Sequence, residues 1–454
     1  MVYQQAIAVP FSGNPWIDGL VDGERWGVTS AQPEVGFTFI SSTVDEPGGR
    51  FGGYPSRGWS ETERALMLDG MAAIERVSGL RFIDRGDSND DEVEIWFYNL
   101  DNKAADGAYG FSYTPGSGPD EGLVAINWSA YERSDGRPRH PIGSGSFHGA
   151  TYLHELSHGV GLKHPHDLGM DKQPRFPGLS RRSDIYRDSG LYGQNAQPWT
   201  QLTYVDKGAR NGAVPTTTAA FGFLQTPGSL DITALQWLYG VNRDAALGDD
   251  VYRLPTTNAE GTGWQSIWDA GGRDRIDGAR AQEPLTIDLR NATLEMNESA
   301  GGYLSRVDGI FGGFTIAHDW DAQVVGVPAG LCIIEDATGG GGNDRLIGNA
   351  AGNHLKGRQG DDVLYGGSAG TDRLKGGPGR DQFWISVEPD AFARVVDFDP
   401  VEDRLVFDQP LKDFNLLTTN RGTRVMNDGR AVAFVASTAV DLELHAIQQS
   451  FVVV

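Results

Sequence analysis

The sequence predicts an α+β domain followed by an all-β parallel roll. Three observations carry that expectation. Residues 154–165 read HELSHGVGLKHP, a helical pattern of metal-ligand residues that follows a series of short strands. From about residue 243 the composition shifts to β-forming residues, Gly and Asp. Within that second half, residues 339–385 repeat with a period of about nine.

Taken in order, residues 1–16 are expected as a leader or pro-segment, and Ile17-Asp18-Gly19-Leu20 opens the first ordered unit, 17–242. Phe37 to Ile40 alternates as a strand. Ser60-Glu61-Thr62-Glu63 is a capping box that starts a helix running to about Ser78, with Met67, Met71 and Ile74 as its core stripe. Strands are expected at 80–83, 93–98, 108–113 and 123–128, and the metal-ligand helix at 147–162. Residues 165–201 are long, polar and Pro-interrupted, so they are expected to be irregular. Ser229 is expected to cap a helix that buries Ile232, Leu235 and Leu238 and ends at Gly240, closing the unit. Residues 243–454 are expected to form the roll unit.

The spacing within 154–165 has a physical reading. His154 and His158 are four apart, so on a helix both imidazoles face one way and can share a Zn²⁺ ion. Glu155 sits beside the first His, where a general base belongs. Gly161 can leave the helix through a left-handed conformation, which lets His164 return to the same ion, and Pro165 prevents the helix from resuming. Three protein ligands leave a position open for water, as in a catalytic rather than a structural zinc site.

The repeat has an equally direct reading. Gly339 to Ile347 fits the nonapeptide GGxGxDxUx, and weaker copies start at Gly348, Gly357, Gly366 and Gly376. The apolar position recurs as Leu346, Leu355, Leu364, Leu374 and Phe383, and the acidic position as Asp344, Asn353, Asp362, Asp372 and Asp381. Gly-rich turns, with Gly341 and Gly360 at further turn positions, aim carbonyls and a carboxylate at Ca²⁺, while the following short strand buries one apolar side chain.

Net charge is −23 and the pI about 4.7, which argues against nucleic acid or an anionic membrane as partner. Gly numbers 62 of 454, roughly twice the usual ~7%. The single cysteine, Cys332, excludes an internal disulfide. No window approaches the ~20 apolar residues of a membrane span, and residues 1–19 lack the basic and apolar regions of a secretory signal. Cytoplasmic retention and export without an N-terminal signal are both compatible with these features.

The 154–165 pattern, the Gly/Asp repeats and the apolar terminus Phe451-Val452-Val453-Val454 together resemble the serralysins, secreted bacterial zinc proteases of the metzincin type with a calcium-bound β-roll. The resemblance implies zinc on His154, His158 and His164, Glu155 as general base, and Tyr204 as a zinc ligand that swings away during turnover. It implies calcium on Ala246, Gly248, Asp250, Asp269, Gly271, Gly272, Asp274, Ile333 and Glu335, besides the repeat positions above. Leu202 stands where that family has the methionine of its Met-turn, and Val205 where it has an aromatic residue. Ser450 replaces the usual acidic residue before the apolar tail. Gly110, Phe111 and Ser112 are expected to form the edge that pairs with extended substrate. The expected activity is endoproteolysis of protein or peptide substrates by a secreted monomer. Its expected partners are a type I secretion machinery that reads the C-terminus and a proteinaceous inhibitor. The rival expectation is a calcium-dependent extracellular binding protein with a degenerate or narrowly specific protease module.

Overall fold

The computed structural model describes residues 4–40, 56–86, 93–133, 138–139, 141–205, 218–325, 332–410, 412–413 and 415–436. The expected C-terminal export signal lies outside the described residues. No helix among the described residues is long and apolar enough to cross a membrane.

The first half is built on a five-stranded sheet. Its order across the sheet is Arg81–Asp84, Glu34–Phe39, Ile95–Leu100, Leu123–Asn127 and Gly110–Ser112. The first four run parallel, and Gly110–Ser112 is an antiparallel edge. Ile95–Leu100 and Leu123–Asn127 are buried along their whole length, as interior strands of such a sheet must be. The helix Glu61–Val77 starts with the expected capping box, Ser60 and Glu63 each accepting from the other's backbone N–H. The helix Phe147–Gly159 packs between it and the sheet at two glycines. A Cβ on Gly70 would stand 3.2 Å from Leu156, and one on Gly159 2.8 Å from Val124.

Several boundaries differ from expectation. The ligand-bearing helix ends at Gly159 rather than 162, because Gly161 already has φ +97°. A side chain at Gly161 would also press on the Glu24 carbonyl. The helix Ser229–Tyr239 is not capped by Ser229. Gly228 is the cap, and the carboxylate of Asp231 accepts its N–H, while the Ser229 hydroxyl donates to the Gly301 carbonyl at 2.5 Å. Residues 4–16, within the segment expected as a leader or pro-segment, pack against the rest of the fold. Ala6–Ala8 pairs with Glu24–Trp26, and Trp16 is fully buried with its indole N–H on the Glu295 carbonyl.

In the second half, alternate repeats feed alternate parallel sheets. Arg345–Ile347, Val363–Tyr365, Gln382–Ile385 and Arg404–Phe407 stack in one. Asp336–Thr338, His354–Lys356, Gly370–Lys375 and Ala391–Val395 stack in the other. Leu346, Leu355, Leu364, Leu374 and Phe383 are all fully buried between them. The extra residue in the 366 copy is absorbed by a longer strand, Gly370–Lys375. The apolar core continues without a break from Trp16 through Leu235 to this stack.

Candidate metal centre and cleft

Helix spacing and the Gly161 turn bring three imidazoles to one point. The Nε2 atoms of His154, His158 and His164 lie 3.1–3.2 Å from one another. Their Nδ1 atoms are all engaged. His154 Nδ1 is 2.8 Å from the Gln201 carbonyl, and His158 Nδ1 2.7 Å from the Leu162 carbonyl. His164 Nδ1 is 2.7 Å from a carboxylate oxygen of Asp167. A carbonyl oxygen only accepts, so His154 and His158 carry their proton on Nδ1. Burial pushes the pKa of His154 down to about 3 and that of His158 well below its ordinary value, which keeps both neutral. Nε2 lone pairs are thereby turned on one another, an arrangement that suits a metal ion. Tetrahedral ligands at ordinary Zn–N lengths stand about 3.3 Å apart.

Glu155 is buried beside them, and burial pushes its carboxyl up to about 8, countered by a hydrogen bond from Ser112. The Ser112 hydroxyl is 2.9 Å from both the Glu155 carboxylate and its carbonyl. Gly110 makes room for the same side chain, since a Cβ there would lie 2.7 Å from Glu155 Cγ. The edge strand therefore turns Gly110 and Ser112 toward Glu155, whereas Phe111 packs against Tyr113 and the cluster around Trp96. The Tyr204 hydroxyl is 2.9 Å from His164 Nε2. Leu202 is fully buried in the core.

A cleft of about 1030 Å³ opens on one side of Glu155, with Tyr109, Phe147 and Phe223 in its walls. A second cavity of about 490 Å³ lies on the other side, bordered by Phe111, Ser112, Asp22 and Asp167.

Sequence reasoning missed several of these partners. Asp167 follows His164 by three residues, a turn spacing that allows the contact, but nothing in composition distinguishes it. His166 stacks on His164 with ring centres 4.9 Å apart. Tyr186, from the irregular 165–201 segment, stacks on Tyr204 at 5.7 Å. Asp231 accepts from the Gln201 N–H at 2.8 Å and from the Thr200 hydroxyl at 2.7 Å, so it holds the residue whose carbonyl faces His154.

In the second half, Asp250, Asp269 and Asp274 bring carboxylate oxygens within 4.8 Å of one another. Glu335 accepts from the Asp274 N–H at 2.8 Å, and Asp274 from the Asp250 N–H at 2.7 Å. Gly271 and Gly272 hold positive φ, the carbonyl of Gly248 crowds Gly272, and Ala246 has φ +52°. Ile333 lines a separate cavity of about 510 Å³ with Arg290, Tyr303 and His318. Along the repeats the Asp side chains form a ladder. Asp362 accepts from the N–H of Asp344, Asp381 from Asp362, and Asp403 from Asp381, at 2.8–2.9 Å. A second series joins Asn353, which donates to the Asp372 carboxylate from its backbone N–H. The first glycines Gly339, Gly348, Gly357, Gly366 and Gly376 leave room for these side chains, for a Cβ on any of them would strike the following Asp or Asn. The second carboxylate oxygens of Asp362 and Asp381 are buried without a hydrogen-bond donor. Oxygens of that kind suit a hard cation. The extension to Asp403 went unseen in the sequence because the Gly-rich pattern has ended by then.

Residues 338–369 and 367–384 match the RTX calcium-binding nonapeptide repeat. The chain is similar to metallopeptidase AprA of Pseudomonas marginalis, with 26% identity over 71% of this chain and 61% of that protein. It is similar to serralysin of Photorhabdus luminescens, with 27% identity over 74% and 63%. Against serralysin B of Dickeya chrysanthemi the identity is 32%, over 55% of this chain and 45% of that protein. The chain thus spans less than two thirds of the length of these relatives. Its repeats indicate calcium binding, and over some 70% of its length the chain is related to the serralysins.

Proposed function

We propose that the chain is a secreted zinc endopeptidase whose second half is stabilised by calcium. The observation that carries this reading is the set of three facing Nε2 atoms, each imidazole held from behind, with a buried carboxylate alongside. His154, His158 and His164 would hold the zinc, with Tyr204 beside them. Zinc bound there supplies a Lewis acid for a peptide carbonyl and acidifies water.

The chain's own residues do the rest. The edge strand Gly110–Ser112 pairs with extended substrate and orients its backbone. Glu155 accepts a proton from water and delivers it to the leaving amine. Ser112 fixes the carboxylate for that transfer. Tyr204 donates its phenol hydrogen to the oxygen that gains charge in the transition state. Residues 17–242 would form the metzincin-type catalytic unit and 243–454 the calcium-binding roll of an exported protein. The carboxylates of Asp274, Asp344, Asp362, Asp372 and Asp381 would be calcium ligands.

The test is Glu155→Ala. The variant is expected to keep stoichiometric zinc by metal analysis and to lose casein digestion. Full digestion by a zinc-loaded variant would overturn the proposed base. No digestion by the unaltered, zinc-loaded protein would favour the calcium-dependent binding protein instead.

A further inference from the structure

We propose that the cleft beside Glu155 selects peptides with acidic side chains on one side of the scissile bond. This inference rests on the endopeptidase reading above and adds its substrate class.

The charge lining the cleft runs against the background of the whole molecule. The chain carries −23 in total. Yet among the described residues that line the larger cleft, the charged side chains are Arg139, Arg187 and Glu155. The two arginines come from separate segments. Arg139 is anchored by its backbone N–H to the Tyr131 carbonyl at 2.7 Å and by its Nε to the Glu132 carbonyl at 2.8 Å. Arg187 follows Tyr186, whose ring stacks on Tyr204, so the stack fixes where that arginine enters the cleft. Its side chain is 85% exposed, and its Nε is 4.0 Å from Asp184, a loose pairing that a substrate carboxylate can replace. The same cleft has apolar walls in Tyr109, Phe147 and Phe223.

The smaller cavity has the opposite balance. Asp22 and Asp167 border it, the first accepting from the Thr114 hydroxyl at 2.6 Å and the second facing His164. The one lysine there, Lys163, is buried near both with its ammonium on the carbonyls of Gly19, Asp167 and Pro174, so the carboxylates outnumber the cation. A peptide that crosses Glu155 meets arginines on one side and carboxylates on the other. Like charges repel at the second side and opposite charges attract at the first, so the pairing also fixes the direction in which the peptide lies.

The experiment uses the full, zinc- and calcium-loaded protein and quenched-fluorescent peptides with one shared apolar centre. They carry Glu-Glu, Lys-Lys or Ser-Ser at the N-terminal or the C-terminal end. Glu-Glu at one end only is expected to raise kcat/KM over Ser-Ser, by a factor of about 1.5 to 5 for each exposed arginine engaged. Lys-Lys at that end is expected to lower it. The preference is expected to shrink as salt is raised, because exposed pairs are screened. The double variant R139E/R187E is expected to reverse the ranking of Glu-Glu and Lys-Lys. Cleavage of all peptides at equal kcat/KM, or a preference that salt and the double variant leave unchanged, overturns the inference and leaves the endopeptidase reading intact. Cleavage of none, with zinc shown to be bound, refutes both.

Discussion

Replacing Gly110 with Ala should disable Glu155 without disturbing the histidines. The added Cβ would stand 2.7 Å from Glu155 Cγ, 2.8 Å from Oε1 and 2.9 Å from the Ala125 carbonyl. Carbon atoms in contact normally sit about 3.5–4.0 Å apart. The carboxylate, or the edge strand, therefore has to move by about 1 Å, and a misplacement of that size costs about 10²-fold in rate. Overpacking alone should lower stability by about 1–3 kcal/mol. The comparison is Ser112→Ala, which removes the hydroxyl that holds the same carboxylate at 2.9 Å. One lost hydrogen bond is worth about 0.5–1.5 kcal/mol, or about 2- to 13-fold. The assay is kcat/KM on a quenched peptide, with metal analysis and thermal unfolding in parallel. Gly110→Ala should fall well below Ser112→Ala in activity while keeping its zinc. Unaltered kcat/KM in the Gly110→Ala variant would show that the edge strand does not hold Glu155 in its working position.

Three further outcomes follow from the same geometry. Asp167→Ala leaves His164 Nδ1 without its carboxylate and should weaken zinc binding by about 10- to 100-fold, read by competition with a chromophoric chelator. Leu364→Ala opens a cavity in the fully buried stack and should cost about 2–5 kcal/mol in calcium-saturated unfolding; a loss below about 1 kcal/mol would contradict the packing described. The pH dependence of the calcium-free protein should be inverted from the usual carboxylate case. Burial raises Asp344 to about 6, Asp372 and Asp381 to about 7, and Asp362 to about 8. Groups with raised folded pKa values stabilise fully below their unfolded values near ~4 and lose that contribution as pH rises through the folded ones. Calorimetry of dialysed, calcium-free protein should show the roll's Tm falling from about pH 5 to about pH 8, and a Tm that rises over that window would refute the assignment.

What the sequence made legible was what has a period or a fixed offset. The capping box at Ser60, the left-handed turn at Gly161 and the buried series Leu346 to Phe383 are each set by local geometry, and local geometry is written in neighbouring residues. The convergence of His154, His158 and His164 belongs to the same class. The partners that arrive from far along the chain were not legible. Tyr186 over Tyr204, Gln201 behind His154 and Ser112 on Glu155 depend on how a loop and an edge strand fold back on the helix. The cap of the last helix was misread for a similar reason. Ser229 has the right chemistry for the role, but Asp231 reaches Gly228 and, in the same gesture, Thr200 and Gln201. Tertiary demand chose the carboxylate over the hydroxyl.

That choice ties two distant events together. The carboxylate of Asp231 that begins the helix Ser229–Tyr239 also accepts from the N–H of Gln201, the residue whose carbonyl orients His154. A ribosome that has produced the histidines has therefore not yet produced the clamp behind the first of them. The ligand set reaches its final geometry only after some seventy further residues have emerged and docked. Synthesis itself becomes a timer on the proposed metal site, and a chain severed between residues 204 and 231 carries every proposed zinc-binding side chain without the carboxylate that steadies Gln201 behind His154.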